Sequence, residues 1–299
     1  MIKKTIKNLL HTMGYDLVKS NSITVDKNQK RSAKPIQPID NIADSYLYTN
    51  YSSIALEERK FYNIGAGNFF HPYWTNVDYG TDWYKESQKN PFIEYNLMKC
   101  DPLPLEDNTA EIIYTSHTIE HITNEAVLNL FKEAYRTLKP GGGIRIVCPD
   151  ARLLYDTIAT NDLSFWKPYH EWIDFKDKLS EVTVFDFFVR ELATSRCRFY
   201  QQGNSDNVLT LEILKELYEK LDYRDFCEQV CSGCCFRDQF PGDHINWWDE
   251  NRVKDCLKQA GFTNIYISRY GQSKLPPLRN TNLFDNSFFM IALYIEARK

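Results

Sequence analysis

Phe61-Tyr62-Asn63-Ile64-Gly65-Ala66-Gly67-Asn68-Phe69-Phe70 is an aromatic and apolar run that breaks into Gly-x-Gly, the pattern of a buried strand turning into a loop. Glycines one residue apart let backbone amides face a ligand at a distance any Cβ would obstruct. The same pattern also fits an ordinary tight turn. The chain beyond Phe70 decides for the first reading, because strand-like and helical segments alternate there as they do in a parallel α/β sheet. A ligand would sit across the carboxyl ends of such strands, near the switch in strand order.

Upstream, residues 21–45 are rich in Asn, Lys, Ser and Pro and read as a linker, and Asp44 to Lys60 reads as a helix leading into the glycine strand. Downstream, Thr75 to Val77 is a short second strand with Asp78 at its end. Only thirteen residues separate Gly65 from Asp78, so the crossover is abbreviated, with Pro72 cutting it short. A weak third strand runs from Phe92 to Tyr95 and ends at Asn96-Leu97. Ala110 to Tyr114 is the clearest buried strand. A helix comes next, from Thr123 to Leu138, with Val127, Leu130, Phe131 and Ala134 at helical spacing. Lys139-Pro140-Gly141-Gly142 stops it, and Gly143 to Cys148 is another strand.

Residues 151–246 break the rhythm. They look helical, most clearly from Leu209 to Leu221, carry a net charge of −6, and hold more than a third of the aromatic residues. They read as an insertion capping the ligand cleft. Regular order resumes with a helix from Asp249 to Ala260 and strands from Asn264 to Tyr270 and Phe288 to Ile295. The expected organisation is therefore a basic helix and linker over 1–45, an α/β core over 46–150, the insertion over 151–246, and a closing helix and strand pair over 247–299.

The 299 residues carry a net charge of −4, which argues against nucleic acid as partner, since a polyphosphate wants a basic field. The charge is uneven: residues 1–34 hold eight Lys/Arg against two Asp, a local +6 that leaves −10 on the remainder. Ile2, Ile6, Leu9, Leu10 and Met13 share a face of a short amphipathic helix. That face either packs on its own domain or makes a weak contact, through residues 1–20, with an anionic membrane surface or a partner enzyme. No apolar run approaches the roughly 18–20 residues of a membrane span. Eight cysteines without a secretory leader or even spacing suggest free thiols in a reducing cytoplasm. The expected location is cytoplasmic, with peripheral contact at the inner membrane face left open.

Five segments then come in family order: Asn63-Ile64-Gly65-Ala66-Gly67-Asn68, Asp78, Leu103-Pro104-Leu105-Glu106-Asp107-Asn108, His117-Thr118-Ile119-Glu120-His121 and Leu138-Lys139-Pro140-Gly141-Gly142. In order and spacing they resemble the class I S-adenosylmethionine-dependent methyltransferases. More narrowly, His71-Pro72-Tyr73-Trp74, Asp82-Trp83-Tyr84, Ser116 to His121 and Asp243-His244-Ile245-Asn246-Trp247 resemble methyltransferases of bacterial capsule and O-antigen clusters. Arg269 to Ser273 and Tyr294 to Ala297 belong to the same pattern. The resemblance implies a Rossmann-like α/β sheet, mostly parallel with the last strand antiparallel, and a helical insertion after the fifth strand. It also implies S-adenosylmethionine as cofactor and O-methylation of a sugar, nucleotide-linked sugar or phosphorylated precursor. A cofactor-binding scaffold without catalysis, and an enzyme acting on a small aromatic or quinone, are the alternatives. A dinucleotide fails on spacing, because Phe70 replaces the third glycine and the acidic residue comes too early.

Under that resemblance Gly65, Ala66, Gly67 and Asn68 cradle the methionine part of the cofactor, and the helix start behind them favours its carboxylate. Asp78 accepts from the ribose hydroxyls, acceptor-only work suited to a carboxylate. Asn96 or the Leu97 backbone lies near the adenine, and Ser116 beneath the methyl group. A sugar hydroxyl must lose a proton during attack, so a general base is sought; His117 leads, with His244 second and Asp150 third. An acceptor that is already anionic needs orientation instead, for which Arg152, Arg196 and Arg198 are candidates, although solvated surface arginines fit the sequence equally well. Arg145, inside a strand, reads as structural.

His117 and His121 with Glu120 between them mimic a metal-ligand pair on a helix; no third ligand is evident, and no metal is expected. Cys227, Cys231 and Cys234 spell the Cys-x-x-x-Cys-x-x-Cys of radical enzymes that also use S-adenosylmethionine. With Cys235 beside them they read as buried or free thiols, since the fold context is wrong for a cluster. The insertion aromatics Phe165, Trp166, Tyr169, Trp172, Phe185, Phe187, Phe188, Phe199 and Tyr200 read mainly as core.

Overall fold

A computed structural model describes residues 42–86, 88–169, 176–200 and 207–299. The chain divides into two units, Met1–Pro38 and Ile39–Lys299, and every described residue belongs to the second. The amino-terminal amphipathic helix, most of the linker and Trp172 lie outside the described residues. The core starts earlier than residue 46. Asp44 is buried, accepts from Asn280 Nδ2 at 2.7 Å and lies 3.2 Å from His71 Nε2.

Phe61–Ile64 forms β1, with all four residues buried. Such continuous burial belongs to a strand covered on both faces. Trp74–Asp78 is β2, Ile93–Glu94 β3, Ala110–Ser116 β4, Leu138–Pro149 β5, Asn264–Ile267 β6 and Ala292–Arg298 β7. They make one seven-stranded sheet in the order β3-β2-β1-β4-β5-β7-β6. Only β7 runs antiparallel, wedged between β5 and β6. This is the fold of the class I methyltransferases, and the order reverses between β1 and β4, where the sheet leaves a crevice at its carboxyl edge.

The expected helix from Asp44 to Lys60 is broken into a 3-10 turn, Ser45–Tyr48, and a short α1, Ser53–Glu57, capped by the Ser52 side chain. Tyr48 is drawn into the core against Phe61 and Tyr73, and Arg59 turns the chain with φ +54°. Asn124–Thr137 is α2, whose cap Thr123 accepts from the Ala126 amide. It buries Val127, Leu130, Phe131 and Ala134 against Ile113, Ile144 and Ile295 of the sheet. Instead of separating helix from strand, Lys139 to Gly142 is already part of β5, at a register shift opposite Ala110 and Ile112. No helix lies between β1 and β2, so the helix start expected behind the glycine turn does not exist.

The insertion contributes α3 (Ala151–Thr160), α4 (Val184–Leu192), α5 (Leu211–Lys220) and α6 (Tyr223–Cys231). They share a second apolar cluster that includes Trp166, Phe187, Phe188, Phe226 and Trp247. Closing helix α7, Glu250–Gln259, is capped by Asp249. The last strand is shifted from the expected 288–295, because Asp285 and Phe288 take φ +58° and +43°. Left-handed residues cannot continue a strand, and the exposed Phe288, Phe289 and Met290 form a loop instead. The strand from Asn264 stops at Ile267 rather than Tyr270, where Ser268 and Gln272 turn the chain.

Arg145 is fully buried in β5. Its Nε donates to Asp285 Oδ1 at 3.0 Å and its Nη1 to Glu296 Oε1 at 2.6 Å. The guanidinium thereby fastens the loop before β7 to the centre of the sheet.

Candidate functional site

β1 delivers the chain into a turn at Gly65 and Gly67, which take φ +70° and +54°. A Cβ on Gly65 would lie 2.3 Å from Thr118 Oγ1, whereas one on Gly67 would meet nothing within 4 Å. Gly65 is small because the segment after β4 packs on it; Gly67 keeps open the space in front of it. The Gly67 amide donates to Asp78 Oδ2 at 2.7 Å, and the Tyr79 amide to Asp78 Oδ1 at 2.8 Å. Burial raises the Asp78 carboxyl above its usual range, and these two amides oppose that rise.

Asp78 opens onto a cavity of about 440 Å³, shared with Gly65, Gly67, Asn96, Leu97 and Met98. That size falls within the roughly 300–1,000 Å³ of small-molecule sites. Asn96 spends its side-chain oxygen on the Met98 amide at 2.9 Å, shaping the floor where a flat heterocycle would lie. This end of the cavity fits an adenosyl group: an acceptor-only carboxylate for a diol, a Cβ-free approach, and apolar walls from Leu97 and Met98. The other end is built by residues from the insertion and the loop before β7: Tyr169, Arg190, Glu191, Phe236, His244 and Phe288. Tyr169 stacks on Phe288 with centroids 5.7 Å apart, and its buried hydroxyl has no partner among the described residues.

Of the proposed cofactor residues, Ala66, Asn68 and Ser116 fall on the other side of the glycine turn. They line a second, more polar cavity with Tyr114 and Asn286. Their side chains therefore do not meet the space that Asp78 faces.

His117 lines the main cavity with φ +49°. Its Nδ1 lies 3.2 Å from Glu120 Oε1 and its Nε2 3.1 Å from the Ser287 carbonyl. Burial lowers its pKa, but the Glu120 bond and charge outweigh this and raise it. With both nitrogens donating to acceptors, the ring has no lone pair for a substrate proton, which removes the basis for making it the leading base. Asp150 caps α3, accepting from the Arg152 and Leu153 amides, and is not part of the cavity wall. His244 does line the cavity. Its Nδ1 donates to the Glu191 carbonyl at 2.6 Å, and burial, aided by His121, drops its pKa to about 3.

The arginines are also redistributed. Arg152 is exposed and pairs with Asp156 at 3.0 Å. Arg196 donates to the carbonyls of Asn207, Gln229 and Val230. Arg198 is held by Asp186 at 2.5 Å. None of the three borders the cavity; the arginine that does is Arg190. Arg190 and Phe236 carry no motif, and only their placement by the fold reveals them; Tyr84, part of Asp82-Trp83-Tyr84, also lines the cavity, and the sequence does not single it out as a site residue. Tyr169 was visible as an aromatic of the insertion but not separable from its core.

The insertion returns to the sheet through Asp243 to Trp248. Ile245 N–H donates to the Glu120 carbonyl at 2.9 Å, Asn246 Nδ2 to the Ile122 carbonyl at 3.2 Å, and Trp248 Nε1 to the Ile119 carbonyl at 3.1 Å. This stitching sets His244 against His121, with ring centroids 4.6 Å apart.

Residues 69–146 match the model of a methyltransferase-domain family. No curated protein sequence matches the chain. Among solved structures this chain is similar to an S-adenosylmethionine-dependent methyltransferase from Mesorhizobium loti, with 12% identity over 87% of this chain and 100% of that one, TM-score 0.39. It is also similar to a possible histamine N-methyltransferase from Thermotoga maritima, with 13% identity over 85% and 92%, TM-score 0.36. A third is human N-acetylserotonin methyltransferase in complex with S-adenosylmethionine, with 15% identity over 82% and 50%, TM-score 0.35.

Proposed function

We propose that this methyltransferase uses S-adenosylmethionine to O-methylate a sugar, nucleotide-linked sugar or phosphorylated precursor in surface polysaccharide synthesis. The observation that carries the reading is Asp78, buried enough to be desolvated, facing the space that Gly65 and Gly67 keep clear. The cofactor supplies an electrophilic methyl on sulfur. The protein's part is to align donor and acceptor for in-line displacement, which is chiefly positioning. Asp78 accepts from the ribose hydroxyls, Asn96 to Met98 bound the adenine, and the aromatic wall of Tyr169 and Phe288 keeps water from the sulfonium. Sugar faces stack on such rings, and Arg190 offers a cation to a phosphate. With the His244 pKa depressed to about 3, proton removal from a hydroxyl acceptor falls to its cavity-lining neighbour His121 rather than to His117.

A small aromatic acceptor is the second reading, favoured by the same Tyr169–Phe288 stack. Work at the cytoplasmic side of the membrane, with a weak membrane or glycan-enzyme contact through residues 1–20, completes the proposal. No helix among the described residues is long and apolar enough to cross a membrane. Calorimetry with S-adenosylmethionine and S-adenosylhomocysteine, and then labelled methyl transfer to nucleotide sugars and to quinols, tests it. Label in a sugar supports the proposal, and label only in an aromatic supports the second reading. Binding without transfer to any acceptor points to a scaffold, and the absence of binding overturns the cofactor.

A further inference from the structure

Glu120, His121 and His244 each offer one donor atom, and these atoms lie within 4.8 Å of one another. Glu120 is 1% exposed, and its Oε2 has no hydrogen-bond partner. A buried carboxylate oxygen left unpaired is costly unless something else meets it.

The tautomers point the same way. His121 Nδ1 lies 3.1 Å from the Asp243 carbonyl, and His244 Nδ1 2.6 Å from the Glu191 carbonyl. A carbonyl only accepts, so each Nδ1 carries a proton, and in the neutral imidazole each Nε2 then holds the lone pair a metal takes. His121 Nε2 is 3.9 Å from Glu120 Oε1. Glu120 is itself oriented by His117 at 3.2 Å. Imidazoles whose outer N–H is tied to a carbonyl, beside a carboxylate fixed by its own donor, are the arrangement that surrounds protein-bound metals.

We infer that Glu120, His121 and His244 form a binding site for a divalent transition-metal ion. The sequence offered His117 as the partner of His121; the fold instead supplies His244 from the end of the insertion and assigns His117 to orienting Glu120. A set of two imidazoles and one carboxylate suits zinc, cobalt, nickel or iron, and not the all-oxygen preference of magnesium or calcium. The donors close on an ion at about 2.0–2.2 Å through small side-chain adjustments. His121 and His244 both line the cavity, so the remaining coordination positions open toward it. Resting on the proposed methyl transfer, an acceptor oxygen would occupy one of them, and its acidity would rise there. Among the described residues the cysteines of 227–235 contribute nothing to this group.

The full chain, without a histidine tag and stripped with chelator, is titrated with Zn²⁺, Co²⁺ and Mg²⁺ by calorimetry. The cobalt form is also monitored by visible absorption, and S-adenosylhomocysteine is titrated into the same samples. One equivalent of Co²⁺ with ligand-field bands and no thiolate charge-transfer band supports the site. Glu120→Gln and His244→Ala should each weaken Co²⁺ by more than the roughly 10–100-fold that losing an outer partner costs. Circular dichroism verifies their folding, and the wild-type titration decides should either misfold. Failure of Zn²⁺ and Co²⁺ to bind, binding through thiolates, or a preference for Mg²⁺ overturns the inference. S-adenosylhomocysteine binding without metal would leave the methyltransferase reading standing alone; metal without that ligand would do the reverse.

Discussion

The amide of Gly67 donates to Oδ2 of Asp78 at 2.7 Å, so the turn after β1 and the carboxylate ending β2 are held as one piece. Replacing Asp78 removes the tether that shapes the turn and, on the proposed reading, the ribose acceptor as well. Asp78→Ala should weaken S-adenosylhomocysteine by about one to two orders of magnitude, from the roughly 1.5–3 kcal/mol of charged hydrogen bonds. Calorimetry showing unchanged affinity would remove Asp78 from the ribose position.

The same carboxyl predicts a pH dependence. Its pKa is raised above 3.8, burial being the largest cause. A carboxyl raised in the fold contributes stability that is fully present below its unfolded pKa and is lost as pH rises through the folded value. Donor affinity runs the other way, because the ionised form is the better acceptor, and it should decline as the pH falls through that raised value. Asp78→Asn should show weak binding with little pH dependence on the acid side of neutrality. Parallel pH profiles for the two proteins would place the titrating group elsewhere.

The two glycines should fail differently. Gly65→Ala drives a methyl into Thr118 at a left-handed residue, so thermal stability should drop. Gly67→Ala bears only the left-handed cost of about 1–2 kcal/mol, and the methyl should occupy ligand space. A near-native melting temperature with greatly reduced donor affinity is expected for Gly67→Ala. Equal affinity losses at equal stability losses would contradict the distinction.

Arg145→Met should be among the most damaging core substitutions. It strands Asp285 and Glu296, both buried beside the guanidinium. Removing one partner of a buried pair costs about 3–5 kcal/mol. Chemical denaturation reads the loss, and an added Asp285→Asn should recover part of it. A melting curve indistinguishable from wild type would show the network to be dispensable.

Much of the sheet was legible because continuous apolar runs such as Phe61–Ile64 and Ile112–Tyr114 admit few other readings. The glycine turn and Asp78 were legible because backbone geometry and a strand-end carboxylate are local signals. The acceptor side was not. Arg190 and Phe236 reach the cavity only through tertiary packing, and Arg152, Arg196 and Arg198 are indistinguishable from them in a sequence. His117 looked like a base until Glu120 and Ser287 were found on its two nitrogens. The break in the Asp44–Lys60 helix falls where Ser52 takes an extended conformation to cap α1, and the late start of β7 follows the left-handed Phe288; no hydrophobic pattern announces either.

The segment from Asp243 to Trp248 is sewn to residues 119–122 by backbone and side-chain bonds. The stretch of cavity wall that His244 provides is thereby anchored to the segment after β4. On the proposed reading, side-chain size along this anchored stretch sets which molecules reach the cavity, so changes to the insertion's inner face should alter selectivity while leaving the Asp78 end intact.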